Sequence, residues 1–211
     1  MKRIVLADDS DLVIIGAEAT LAQAANMFVL GRARSMDTLN AVLKETQTDL
    51  LLLGDGLHNL DTLSVIQQIS RHYPTLKIIV MGWLMDGGLI RQIIQTGAQG
   101  YLYKGDDIGK VLITALEQAS HHNPYLSPTA STACLIAARS RYRFRPLDAE
   151  SRQVLALLAK GLPANEIAEL MALTQRRVYW VREKLRRRFG ARTNEHLIQC
   201  ATAEGFIYPR D

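Results

Sequence analysis

Five short apolar runs, opening at Ile4, Met27, Leu50, Ile78 and Gly100, constrain this chain more than any other feature. They span Ile4 to Ala7, Met27 to Leu30, Leu50 to Leu53, Ile78 to Met81 and Gly100 to Tyr103. Each is too short for a helix. Between them, Leu12 to Ala25, Thr38 to Thr46, Leu60 to His72, Leu89 to Thr96 and Ile108 to Ser120 place apolar residues three and four apart, the period of a helix buried on one face. Strands alternating with helices make a parallel sheet covered on both faces. Residues 1–120 are therefore predicted to form a five-stranded, doubly wound α/β sheet.

Polar residues fall where such a sheet puts a site, because ligands bind outside the carboxyl ends of the strands. Asp8 and Asp9 follow the first run, Gly54 and Asp55 end the third, Gly82 ends the fourth and Lys104 ends the fifth. The acid pair, the turn after the third run and Gly97-Ala98-Gln99-Gly100-Tyr101-Leu102-Tyr103-Lys104 resemble the receiver domain of response regulators, a flavodoxin-like fold. That resemblance implies a phosphorylated Asp at the position of Gly54 in Asp49-Leu50-Leu51-Leu52-Leu53-Gly54-Asp55. It also implies a Thr or Ser sensing the phosphate at the position of Gly82 in Ile79-Val80-Met81-Gly82-Trp83. Glycine accepts no phosphoryl group and reports none, so a receiver-like domain without aspartyl phosphorylation is expected. His58 and Thr62 stand where a Pro and a Gly are usual in the family.

Asp55 is expected to point away from the acid pair, since successive strand side chains alternate between faces, unless Gly54 and Gly56 introduce a bulge. Two readings of Asp8 and Asp9 stay open. In one they start a helix and pair with Lys104; in the other they keep a weak divalent-cation site, impoverished by the missing third carboxylate. Gly54 and Gly82 also vacate volume beside Trp83, which either a small-molecule ligand or repacking would fill.

Charge divides the chain. Residues 1–138 hold 10 Lys/Arg against 13 Asp/Glu and residues 139–211 hold 15 against 8, giving −3 and +7. A basic part of this kind points to a polyanion such as double-stranded DNA, whose counterions are released on binding. Cys134 and Cys200 are too few and too far apart for a disulfide framework or a zinc site, in keeping with a reducing cytoplasm. The apolar opening of the chain stops at Asp8, too soon for a signal peptide, and no apolar stretch approaches the roughly 20 residues of a membrane span. Residues 121–145 read as a linker through His121-His122-Asn123-Pro124, Ser127-Pro128, a short helix at Ala130 to Ala138 and the run Arg139, Arg141, Arg143, Arg145.

Residues 146–211 read as an all-α unit. Asp148 is placed to cap a helix that stops at Lys160-Gly161, Pro163 opens a second through Leu170, Thr174 caps a third reaching Phe189, and Asn194 to Ala203 form a fourth. Two short helices around Met171 to Leu173 suggest a helix-turn-helix. Leu147, Val154-Leu155, Lys160-Gly161-Leu162, Glu166-Ile167-Ala168, Val178 and Gly190 resemble the C-terminal domain of the LuxR/FixJ/NarL family. At about 100° per residue, Val178, Val181, Leu185 and Phe189 form one stripe. The exposed side offers Arg176, Arg177, Tyr179, Trp180 and Glu183 to bases and Arg182, Lys184, Arg186 and Arg187 to phosphates, and the capping Thr174 is counted with them as a DNA-binding residue. Trp180 also suits a protein interface, and Glu183 either accepts from cytosine or pairs with Arg187. The resemblance implies that the last helix, through Leu197, Ile198 and Ala201, pairs two copies.

These features describe a DNA-binding transcription regulator of the response-regulator class, acting as a homodimer. The competing description is an interaction module whose receiver-like part docks a kinase or another regulator. An enzyme is disfavoured, because no Ser or Cys nucleophile is evident beside a His.

Overall fold

In a computed structural model the described residues are 1–55, 57, 61–121, 123–139, 147–203 and 206–207, with residue 139 described by its backbone alone. Gly56, His58, His122, Arg141, Arg143 and Arg145 therefore lie outside them, as does the start of the third predicted helix at Leu60. The alternation runs β1 (Lys2–Ala7), α1 (Asp11–Leu21), β2 (Met27–Ala33), α2 (Met36–Glu45), β3 (Leu50–Gly54), α3 (Thr62–His72), β4 (Lys77–Gly82), α4 (Gly87–Gln95), β5 (Gly100–Tyr103) and α5 (Ile108–Ser120). All strand pairs are parallel and the order is β2-β1-β3-β4-β5-β6. The direction of winding reverses between β1 and β3, which opens a crevice at their carboxyl ends.

Side-chain alternation along the strands divides the core. Val5, Leu51, Leu53, Ile78 and Val80 pack under α2, α3 and α4 with Leu39, Ile66, Ile69 and Ile90. Ile4, Leu6, Leu50, Leu52, Ile79 and Met81 pack under α1 and α5 with Ile14, Leu21, Leu112 and Leu116. A period of two thus sorts one continuous apolar run onto two buried faces.

The sheet has six strands among the described residues, one more than expected. The sixth, β6 (Tyr125–Leu126), has two residues and joins β5 through Gly100 and Tyr101. A Cβ at residue 100 would press on the Tyr125 carbonyl, so this glycine admits an edge strand that no run of apolar residues announces. The chain continues into α6 (Pro128–Arg139). This helix is packed rather than dangling: Asp106 accepts from the Thr129 N–H at 3.1 Å, and the Ala133 carbonyl lies against Gly87, where a side chain would collide.

The C-terminal part is helical: α7 (Ala149–Ala159), α8 (Ala164–Leu170), α9 (Gln175–Phe189) and α10 (Asn194–Ala203). Asp148 caps α7 by accepting from the Ser151 N–H at 2.8 Å, and Thr174 caps α9 by accepting from the Arg177 N–H at 3.2 Å. Gly190 ends α9 in the left-handed region at φ 64°, where a glycine carries no steric penalty. The α9 stripe of Val178, Val181, Leu185 and Phe189 meets Val154, Leu155, Leu158, Ile167, Leu197 and Ala201 in one core. Leu89 of α4 belongs to the same cluster and Leu84 packs on it, so the two parts of the chain share apolar contact.

Candidate crevice and nucleic-acid interface

At the carboxyl ends of β1, β3 and β5 three charges meet. Lys104 Nζ donates to Asp8 Oδ2 at 2.8 Å and lies 3.8 Å from Asp55 Oδ1. The three side chains are 7, 4 and 7% exposed. The other Asp8 oxygen accepts from the Ser10 N–H at 2.9 Å, which ties the carboxylate to the start of α1. Asp9 is half-buried, and its carbonyl accepts from Arg34 at 3.4 Å.

Asp55 continues the β3–β4 ladder, its N–H donating to the Met81 carbonyl at 3.1 Å, and its carboxylate lies on the Gly82 side of the sheet, opposite to Gly54, while still coming within reach of Lys104. Its Oδ2 accepts from the Trp83 N–H at 2.7 Å. Glycines make both placements possible: a Cβ at Gly54 would fall on the Asp8 carboxylate, and one at Gly82 on the Asp55 carboxylate. The vacated volume is thus taken largely by the protein's own acids, leaving a narrow cleft lined by Leu6, Ile14, Leu52 and Met81. Beside it, the buried Tyr101 hydroxyl accepts from the Leu84 N–H at 2.8 Å. Burial first, and then the Asp55 charge, push its pKa well above the usual phenol range. Trp83 meets Tyr103 edge-on, with centroids 5.8 Å apart.

A hard cation needs several oxygens directed at one point. Here both Asp8 oxygens are already engaged, one by the Ser10 amide and one by the Lys104 ammonium. Among the described residues no group of three His, Cys, Asp or Glu side chains could hold a metal ion.

The second candidate surface is α9. Its core stripe is buried, while Arg176, Arg177, Tyr179, Trp180, Glu183, Lys184 and Arg187 are exposed and Arg182 and Arg186 half-buried. Thr174 is exposed at the start of the helix. Two of the cations are held by acids at the start of α7. Arg177 forks onto Glu150 at 2.7 and 3.1 Å, and Lys184 pairs with Asp148. Arg177 and Lys184 also lie over the Trp180 ring, 4.5 and 5.5 Å from its centroid, which fixes the indole between two anchored cations. Arg182 covers Tyr179 at 4.6 Å. Glu183 pairs with Arg186 at 2.8 Å rather than with Arg187, and Arg186 also reaches Asn194 at 2.9 Å.

Burial would raise the Asp148 pKa, but the Lys184 ammonium and hydrogen bonds from Ser151 outweigh it and hold the carboxyl at about 2. Nothing local in the sequence signals these pairs, since Asp148 precedes Lys184 by 36 positions and Glu150 precedes Arg177 by 27.

The expected pairing face on α10 needs correction. Leu197 and Ala201 are fully buried in the core with α7 and α9, and Ile198 is half-buried against it. Their four-residue spacing is that of a core stripe, so Leu197 and Ala201 present nothing to a second copy.

The chain matches the response regulator receiver domain family over residues 4–116. It is 23% identical over 205 residues to the transcriptional regulatory protein MctR of Rhizobium johnstonii, covering 97% of this chain and 95% of that one. Among solved structures it is similar to RcsB from Salmonella enterica serovar Typhimurium bound to promoter P1flhDC in the presence of phosphomimetic BeF3−. That likeness has a TM-score of 0.79 and 20% identity over 96% of this chain and 98% of that one. It is also similar to a structure of two RcsB dimers bound to two parallel DNAs, with a TM-score of 0.62 and 19% identity over 96% and 98%. No helix among the described residues is long and apolar enough to cross a membrane.

Proposed function

From the premise that the chain belongs to the response regulator receiver domain family, we propose that it is a DNA-binding transcription regulator of the NarL/FixJ/LuxR type. In this reading residues 1–120 are the receiver-like domain, 121–145 the linker and 146–211 the helix-turn-helix domain, and two copies bind one site without aspartyl phosphorylation. The observation that carries the reading is the outer face of α9, where Arg176, Tyr179, Trp180 and Arg187 are exposed on the side opposite the core stripe. A helix with that face can enter the major groove with its first half over base edges and its basic flanks on phosphates. The promoter-bound RcsB structure supports the assignment through its similar fold, and the dimeric one supports two copies. In titrations of genomic DNA fragments at several salt concentrations, binding weakens as salt rises and weakens further when Arg177 and Arg186 are both replaced by Ala. Fragments left unshifted at low salt would overturn the assignment.

The independence from phosphorylation rests on Gly54, which has no group to accept a phosphoryl, and on an Asp8 carboxylate whose two oxygens are already engaged. Asp55, the neighbouring carboxylate, is buried and already accepts from Trp83. Treatment with a small phosphodonor and magnesium leaves the intact mass unchanged; a stoichiometric adduct would refute this part. A second reading, docking of a kinase or another regulator, draws on Leu12 and Ile15, which are exposed on α1. It predicts that the full chain binds no DNA.

A further inference from the structure

The crevice and the C-terminal helices are connected through one short stretch, Trp83 to Leu89, whose two ends are held differently. At the crevice end, buried acceptors take successive amides: the Trp83 N–H donates to Asp55 and the Leu84 N–H to the Tyr101 hydroxyl, at 2.7 and 2.8 Å. At the far end Asp86 caps α4, accepting from the Gly88 and Leu89 N–H groups at 2.7 and 3.0 Å. The side chains of Leu84 and Leu89 then enter the apolar cluster of α7, α8, α9 and α10. Beside them Arg152 of α7 forks onto Asp61, the cap of α3, at 2.6 and 3.0 Å. That pair is nearly buried, with exposures of 17 and 8%, and Arg152 also donates to the Leu147 carbonyl.

The order of these contacts matters. An amide that leaves a nearly buried acceptor leaves that acceptor short of a partner, which holds the amide in place. The position of Trp83 and Leu84 is therefore set from inside the receiver-like part. Leu84 has its amide fixed on that side and its side chain packed against both cores, so it couples them over one residue. Two glycines open the space for it: Gly82 leaves room for the Asp55 carboxylate, and Gly54 leaves room for the Asp8 carboxylate that holds Lys104 against Asp55.

We propose that Asp55 is a positioning residue that docks the C-terminal helices. Its carboxylate fixes the stretch after β4 from which Leu84 and Leu89 pack with the helical core, a junction that the Arg152–Asp61 pair between α7 and the start of α3 closes separately. This assignment concerns the joining of two parts of the chain and holds whether or not α9 binds DNA.

Hydrogen exchange measured on the full chain tests it at both ends of the connection. In Asp55→Ala the amides of Trp83 and Leu84 exchange about tenfold faster or more, and segment 152–158 of α7 accelerates in the same sample while β1 and β3 stay protected. Asp55→Asn keeps an acceptor oxygen for the Trp83 amide and retains protection at both ends. Gly82→Ala removes no group but evicts the carboxylate, and it reproduces the Asp55→Ala pattern. Faster exchange at Trp83 and Leu84 with segment 152–158 unchanged would overturn the proposal, as would an Asp55→Asn chain that behaves like Asp55→Ala. Should Asp55→Ala also unprotect β1 and β3, Gly82→Ala decides on the same two segments: joint acceleration upholds the assignment and an unchanged segment 152–158 refutes it.

Discussion

Lys104 and Lys184 are each paired with an aspartate, and the two pairs serve opposite ends. The side chains of Lys104, Asp8 and Asp55 are at most 7% exposed, whereas Lys184 and Asp148 are 44 and 53% exposed. Arg177 and Glu150 resemble the second case. A buried charge that loses its partner stays out of water and uncompensated, so the pair is permanent. An exposed pair contributes little and can trade one partner for another. A DNA phosphate can therefore take the place of Asp148 or Glu150, while the Lys104 ammonium is already committed inside the protein. Burial, rather than residue type, separates the committed ion pair from the exchangeable one.

The sharpest way to break that contrast is to remove one lysine from each pair. Lys104→Ala leaves two buried carboxylates facing each other and lowers the unfolding free energy by about 3–5 kcal/mol, while Lys184→Ala lowers it by less than about 1 kcal/mol. Urea titrations of both variants check this. Equal losses would mean that the crevice pair is no more structural than the surface one.

On α9 the contrast predicts loss of function without loss of fold. Arg176, exposed at the start of the helix, is placed to meet base edges, and Arg176→Ala weakens the preferred site by about 1–3 kcal/mol relative to unrelated DNA. Arg187, three turns further on, suits a phosphate; Arg187→Ala weakens all sequences alike and lowers the slope of log affinity against log salt by about 1. Titrations at several salt concentrations separate the two patterns, with melting temperatures unchanged.

Much of this could be read from the chain because two periods carry it. The apolar runs gave β1, β3, β4 and β5 to within two residues, and the three- and four-residue steps of Val178, Val181, Leu185 and Phe189 gave the buried face of α9. What escaped lay where periodicity ends or where contacts are distant. The contacts of Asp55 with Trp83 and Lys104 escaped, because they depend on the register of Gly54 with Met81, a pairing visible only once the sheet is assembled. Two residues of β6 are too short for any pattern. Leu197 and Ala201 carry the spacing of a helix face without indicating which neighbour covers it. The acids that hold Arg177 and Lys184 belong to another helix altogether.

Acid sharpens the contrast from the exposed side. The folded Asp148 carboxyl sits at about 2, below its ordinary 3.8, so its contribution to stability is complete above pH 4 and disappears as pH falls toward 2. Because the pair is half exposed, screening reduces that contribution to about 1 kcal/mol. Asp148→Asn keeps an oxygen able to cap α7 but does not titrate. Unfolding free energies measured from pH 5 to pH 2 fall less steeply for this variant than for the unaltered chain by that amount.

The smallest effect tests whether an exposed partner is truly exchangeable. Arg177 must leave Glu150, or share itself, before its guanidinium can engage DNA, and the separation of an exposed pair costs only about 0.5 kcal/mol. Glu150→Gln removes the competing charge and also one repulsion between the helix-turn-helix and the phosphates. It raises affinity about twofold, and in titrations at increasing salt the difference from the unaltered chain narrows as both charges are screened. A fall in affinity would mean that Glu150 holds Arg177 in its binding position, so that the exposed pair, like the one around Lys104, positions its cation instead of releasing it.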